Sequence, residues 1–314
     1  FSRKNGGALR LFLNYFSFAL LASLKVRKIK GSFDAIFVYE PSPITVGIPA
    51  VFAKKKFNAP IYFWAQDLWP ESLVAAGGVN NKFILGFFNS LTKWIYNQSK
   101  KVLIQSDGFR EYILNQKIAN DKIIFYPNPT EDFYMPLQKV KEYQEFFQNE
   151  FFNIVFAGKL NQSKGYNIFT NVISEILKKN RSWTCDIVGD DPRYYEKINH
   201  PKIHYHGWLP YKKTMEIFKK SKIVVIPSTW DEPLGRTAIE AASRGCVSII
   251  SKRGGLIETN RHGLFLNYVT KEELYNKLNK IIKSPSLINI YSKKTLKEFK
   301  HSINKTIDQI NIIY

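Results

Sequence analysis

Two carboxylates, Glu232 and Glu240, stand eight positions apart and bracket a turn that contains Gly235. A carboxylate does not bind phosphate, but it accepts two hydrogen bonds and so can hold a sugar diol. What lies between the two acids suits an anion. The alanine-rich run from about Arg236 to Gly245 reads as a helix, and a helix start presents unpaired backbone N–H groups and the positive end of the macrodipole. The amides around Gly235, Arg236 and Thr237, next to Leu234, are the candidate phosphate binders. An anion site between two diol acceptors describes a nucleotide-sugar. A plainer reading of Glu240 is also open, as a helix-surface carboxylate paired with Arg236 four residues before it.

These groups need a scaffold that brings them to one place. The apolar run Lys222 to Pro227 reads as a buried strand, and Ser228 to Gly235 as the turn that follows it. The same alternation runs through the chain. Strands are expected near Phe33–Tyr39, Ile61–Ala65, Val102–Gln105 and Lys122–Tyr126, then at 152–157, 183–188, 202–206, 222–226, 246–251 and 264–267. Helices lie between most of them, including one after Pro43 through about Ala53 and an amphipathic one over Lys82 to Gln98. Strand–helix alternation predicts parallel α/β architecture. Pro127-Asn128-Pro129 and Met135-Pro136 interrupt it, followed by a charged helix to about Asn149. The expected domains are 1–136 and 137–285, with a helical tail over 286–314. Two doubly wound domains imply a ligand cleft at the carboxyl ends of the two sheets.

Composition narrows the class. The chain has 314 residues with 45% hydrophobic and 23% charged, ordinary for a globular protein, but its formal net charge is +20. Nucleic acid, an anionic membrane and an anionic substrate all fit such a charge. Only 10 of the 46 basic residues are Arg and the lysines are spread along the chain. With nucleic-acid motifs missing from the sequence, no nucleic-acid partner is expected. Cys185 and Cys246 sit in apolar runs without CxxC spacing and predict buried thiols in a reducing compartment. Leu11 to Leu24 is apolar but too short to span a bilayer. Basic residues flank it, so it reads either as a core helix or as a membrane-facing amphipathic helix.

Further motifs fall in order. Glu232-Pro233-Leu234-Gly235 with Glu240, Ala157-Gly158-Lys159-Leu160 with Lys164-Gly165, Asp186-Ile187-Val188-Gly189, His206-Gly207-Trp208 and Gly254-Gly255-Leu256-Ile257-Glu258 together resemble the retaining glycosyltransferases of family 4. In the first half, Gln66-Asp67-Leu68-Trp69-Pro70-Glu71-Ser72 resembles a bacterial branch of that family that builds capsule, O-antigen and related lipopolysaccharide glycans. The resemblance covers nearly all 314 residues and implies the GT-B fold, two Rossmann-like domains facing across a cleft. It puts the first on the acceptor side and the second on the nucleotide-sugar, with the helix over 286–314 expected to return to the first. It implies a nucleotide-sugar donor, UDP- or GDP-linked, and retention of anomeric configuration. The acceptor attacks from the leaving-group face and its proton passes to the departing diphosphate.

Residue roles follow. Lys159 and Lys164, in a loop rich in glycine (Gly158, Gly165), would neutralise the diphosphate, although solvated surface lysines are the plainer reading. Ser163 excludes a P-loop. Glu232 would hydrogen-bond the transferred sugar and Glu240 the ribose, with Trp208 and Leu209 also lining the donor. Gln66 stands where many members of the family place a histidine; it can hydrogen-bond but not titrate. Asp67 would orient the acceptor hydroxyl or act as a weak general base, or else cap the following turn. No Asp-x-Asp pattern is present, and neither metal nor cofactor is expected. His204 and His206 share one face of a strand without an evident third ligand.

The acceptor implied is a glycan or a polyprenyl-diphosphate-linked sugar at the cytoplasmic face of the cell membrane. Two alternatives stay open, a GT-B-fold sugar-nucleotide epimerase and a non-catalytic binding protein of the same fold, the second disfavoured by Glu232, Glu240, Lys159 and Lys164 together. The first half shows about four expected strands against six in the second. Gly6-Gly7 has no preceding strand to make the family's glycine-rich first turn. Two or more β-α units are therefore expected to precede residue 1 in the natural protein.

Overall fold

The computed structural model describes residues 8–77, 79–130, 152–190 and 197–313. It divides the chain into two units, Phe1–Tyr126 and Pro127–Tyr314. The division falls at Pro127-Asn128-Pro129 rather than at the expected 136. Gly6-Gly7, Met135-Pro136 and the charged helix expected to about Asn149 lie outside the described residues.

In the first unit, β1 (Ile36–Glu40), β2 (Ile61–Ala65), β3 (Lys101–Ile104) and β4 (Ile123–Phe125) form a parallel sheet in the order β1-β2-β3-β4. Helices α1 (Ala8–Val26), α2 (Gly47–Phe57), α3 (Glu71–Gly77), α4 (Lys82–Gln98) and α5 (Gly108–Asn115) accompany it. Ile61, Phe63, Val102 and Ile104 are fully buried with Ile95 and Phe88 of α4. Strands covered on both faces have no solvent side, so they read as unbroken apolar runs. The pairing Glu40↔Ala65 fixes the register, which brings Glu40 level with Gln66 and Asp67 at the carboxyl edge. The helix expected after Pro43 is a 3-10 turn over Ile44–Val46 that runs into α2.

The second unit carries β5 (Phe152–Ala157), β6 (Trp183–Val188), β7 (Ile203–Gly207), β8 (Ile223–Ile226), β9 (Val247–Ser251) and β10 (Leu264–Leu266). The sheet is parallel in the order β10-β9-β8-β5-β6-β7, and every strand lies within about one residue of its expected place. Helices α6 (Tyr166–Lys179), α7 (Tyr211–Lys219), α8 (Arg236–Ala242), α9 (Leu256–Thr259), α10 (Lys271–Ile282), α11 (Pro285–Lys297) and α12 (Ile303–Ile313) accompany it. Residues 286–314, expected as one helical tail, contain the two helices α11 and α12 and group with the second unit.

The strand order reverses at β5, whose neighbours are β6 on one side and β8 on the other. In a doubly wound sheet the loops leaving the carboxyl ends at this switch point diverge and leave a crevice for a ligand. Here those loops are 158–165 after β5 and 227–235 after β8, the two stretches that carry the candidate chemistry.

Candidate functional site

Glycines end or follow β5, β6 and β7, and one of them, Gly189, permits a close backbone approach. Gly158 N–H donates to Val188 O at 2.9 Å and Gly189 N–H to Gly207 O at 2.8 Å. A Cβ on Gly189, at φ +130°, would stand 1.8 Å from Gly158 O. The loop after β5 then turns tightly: Asn161 caps the 3-10 turn Gln162–Lys164 by accepting from the Lys164 amide at 3.1 Å.

That turn is fastened to the loop after β8. Thr229 N–H donates to Ser163 O at 2.9 Å and Thr229 Oγ1 to Gln162 O at 3.0 Å, and Ser228 Oγ lies 3.0 Å from the Ser163 carbonyl. The contact places Lys164 Nζ 2.5 Å from Glu232 Oε1, and Ser228 Oγ donates to that oxygen from 2.8 Å. Glu232 is buried, and a buried charge persists where it is paired and hydrogen-bonded. Its backbone is held too, since Gly255 N–H donates to Glu232 O at 2.7 Å, and Gly254 sits at φ +53° against that carbonyl. Lys164 has three N–H donors. It can keep Glu232 and still offer a proton to a phosphate oxygen.

Gly235, at φ +90°, starts α8. The first-turn amides of Arg236 and Thr237 have no acceptor within the helix. Leu234 is buried in a small cluster with Ile239, Ala242 and Phe299, which anchors this turn. One turn on, Arg236 Nη2 donates to Glu240 Oε1 at 3.4 Å. The plain surface pairing is therefore present, but Glu240 is no surface carboxylate: its side chain is only 14% exposed. Burial pushes its pKa above the usual carboxylate value, while the guanidinium groups of Arg236 and the buried Arg244 pull it back.

Lys159 is exposed at the same end of β5. Trp208, after β7, is exposed, and Leu209 beside it is partly buried against the apolar cluster that includes Val224 and Ile226. The structure thus gathers Gly158, Lys164, Glu232, Gly235, Arg236, Thr237 and Glu240 in the second unit. Asn161, Ser228, Thr229 and Arg244 belong with them. His204 and His206 do have a third side chain near them: Asp186 Oδ1 lies 2.7 Å from His206 Nε2 and 3.5 Å from His204 Nδ1. No metal-binding group is found among the described residues.

Gln66 and Asp67 lie in the first unit. Gln66 is buried and its carbonyl accepts from Gln105 Nε2 at 2.8 Å. Asp67 accepts from the Ser42 side chain, and burial raises its pKa. Beside it Glu40 is fully buried, with the backbone amides of Asp67, Gln66 and Ser42 turned toward its carboxyl group but none of them closing a hydrogen bond of ordinary geometry. Burial, then the charge of Asp67, push its pKa well above the usual value, against the backbone amides of Asp67, Gln66 and Ser42. Tyr96 of α4 faces the same pair. A raised folded-state pKa stabilises below the ordinary carboxylate pKa, and that stability is lost as pH rises toward the folded value. Glu40→Gln should therefore gain on the wild type as pH rises, by about 1–2 kcal/mol and roughly 4–8 °C in Tm at about pH 8. Thermal melts of both proteins across pH check this; a difference that shrinks toward alkaline pH contradicts it.

Residues 138–298 match the family model of the glycosyl transferases group 1, just over half of the chain. The chain belongs to the glycosyl transferases group 1. A protein of 41.2 kDa from the cps region of Klebsiella pneumoniae is 28% identical over 242 residues, 72% of this chain and 66% of that protein. A phosphatidylinositol N-acetylglucosaminyltransferase subunit of Saccharomyces cerevisiae is 22% identical over 75% of this chain and 53% of its own length. The chain thus spans less than two thirds of these relatives. Among solved structures, HepE of Anabaena in complex with UDP-glucose superposes with a TM-score of 0.68 at 15% identity, over 95% of this chain and 81% of that one. Sucrose-phosphate synthase of Thermosynechococcus elongatus gives 0.72 at 16% identity, over 98% and 79%. These likenesses bear out the GT-B fold of two Rossmann-like units expected from the motifs.

Proposed function

We propose that this group 1 chain is a retaining glycosyltransferase of the family 4 type. It moves a sugar from a nucleotide-sugar to a glycan or polyprenyl-diphosphate-linked acceptor in cell-surface polysaccharide biosynthesis, at the inner face of the cell membrane. The observation that carries the reading is the buried Glu232, held by Lys164 and Ser228 at the switch point of the second sheet. It offers an acceptor for sugar hydroxyls beside a cation for the diphosphate. The UDP-glucose bound by the structural neighbour HepE supports a nucleotide-sugar donor, and the cps-region relative supports a surface-glycan role.

Lys159 and Lys164 neutralise the leaving diphosphate together with the amides at Gly235, Arg236 and Thr237. Glu232 orients the transferred sugar and Glu240 the ribose. The departing diphosphate takes the acceptor's proton, with Asp67 orienting the acceptor hydroxyl. Incubation with a panel of UDP- and GDP-sugars and lipid-linked acceptors tests the reading: a glycosylated product of retained configuration supports it, and interconversion of the donor without transfer favours an epimerase.

Glu240→Ala separates binding from chemistry. A hydrogen bond to a charged group is worth about 1.5–3 kcal/mol, so the donor KM should rise about 10- to 150-fold while kcat changes little. A fall confined to kcat would place Glu240 at the reacting sugar instead.

A further inference from the structure

Helix α1 faces the wrong way for a helix bounded by water. Its core side carries Tyr15, Ala19 and Ser23, all buried, with the Ser23 hydroxyl returned to Ala19 O at 2.7 Å. Its outer side carries Leu20 and Leu21, 63% and 65% exposed, with Phe12 and Leu24. A globular helix ordinarily points its apolar stripe inward and its polar residues out.

Helix α4 repeats the pattern. Phe88, Thr92, Ile95 and Tyr96 are buried. Phe83, Phe87 and Trp94 fall on one outer stripe by their spacing, and Phe83 is 90% exposed. The two outer faces are continuous, because the Phe16 ring of α1 lies 4.4 Å from Phe12 and 6.2 Å from Phe87 of α4. A shallow groove lined by Leu20, Leu24, Ile48 and Phe52 extends the surface onto α2.

Charge selects the occupant. Helices α1, α2 and α4 carry Arg10, Lys25, Lys54, Lys55, Lys56, Lys82 and Lys93, and not one Asp or Glu. Lys56 is occupied in holding the end of α1, donating to Arg27 O at 2.7 Å and Val26 O at 3.0 Å. Lys25, Arg27, Lys28, Lys30 and Lys55 remain exposed. A second copy would bring two all-cationic faces together, which repel. A nucleic acid would satisfy the cations but not cover leucines and phenylalanines. No described helix is long and apolar enough to cross a membrane, which leaves the interfacial mode of binding.

We propose that the outer faces of α1, α2 and α4 form one docking surface for an anionic lipid bilayer. The leucines and aromatic rings enter the headgroup boundary and the surrounding lysines meet the lipid phosphates. The proposal extends the reading of a lipid-linked acceptor, but its test registers lipid binding alone, so either can fail without the other.

The test is co-sedimentation of the chain with phosphatidylcholine vesicles, with and without phosphatidylglycerol. Binding should require phosphatidylglycerol and weaken with salt. Leu20→Gln/Leu21→Gln should lower the partition coefficient about tenfold or more, and Lys25→Gln/Arg27→Gln/Lys28→Gln about 100-fold. Both sets of substitutions lie at exposed positions, and unchanged thermal melts would show the fold intact. Equal binding to neutral vesicles, no binding, or binding untouched by both variants overturns the proposal. So does a dimer in sedimentation velocity that Leu20→Gln/Leu21→Gln dissolves, which would assign the face to a second copy.

Discussion

Replacing Glu232 by Gln is expected to lower kcat about 10- to 150-fold with a smaller change in donor KM, the loss of one charge-assisted hydrogen bond of about 1.5–3 kcal/mol in the transition state. Gln keeps the shape and the bond from Ser228 but removes the charge that Lys164 meets at 2.5 Å. The ammonium is then left without its carboxylate beside the anion site. Because the two side chains form one pair, Lys164→Ala and Glu232→Gln should be non-additive, and the double variant should lose less than the product of the single losses. Steady-state kinetics on the three variants checks this. Wild-type kcat in Glu232→Gln would remove Glu232 from the chemistry.

The second large effect is on the scaffold. Gly165 sits at φ +68°, and a Cβ there would lie 1.9 Å from Pro227 O, a backbone atom of the loop after β8. Gly165→Ala must therefore both strain its own backbone and push apart the loops that bring Lys164 to Glu232. The expected cost is more than about 3 kcal/mol, or roughly 6–12 °C in Tm for a unit of this size. Calorimetry should show the loss. Gly86, in α4, has open space around its Cβ position and serves as the control, since Gly86→Ala should be neutral or stabilising. Equal melting of the two variants would mean that the loops are not packed as described.

The strands of both sheets were legible because each is an apolar run bounded by turn residues, as in Ile223-Val-Val-Ile226 before Pro227. The glycine turns were legible for the same reason, Gly165 against the Pro227 backbone and Gly235 against the Leu256 side chain. Helix α3 was not, since Leu68-Trp69-Pro70 immediately before it reads as an interruption. The extent of the helical tail was also hidden: His301 and Ser302 between α11 and α12 carry no breaker signal.

The site divides along similar lines. Acids and lysines were readable from type and spacing. Their holders were not, because Ser228 and Thr229 reach residues 65 to 67 positions away in sequence and look in isolation like any polar turn. Burial was the other hidden quantity. Nothing in the sequence distinguishes Glu40, the last residue of β1, from an exposed strand end, yet register against β2 seals it. Asp186 likewise meets His206 only through the pairing of β6 with β7.

The most direct test of the donor site is isothermal titration of the chain with UDP, GDP, ADP and CDP, repeated on Lys164→Ala and Glu240→Ala. One nucleoside diphosphate should bind with a single site per chain, and each variant should weaken it about tenfold or more, the share of one hydrogen bond to a charged group. Binding of none of the four, or binding of equal strength in wild type and both variants, would contradict the assignment of this site.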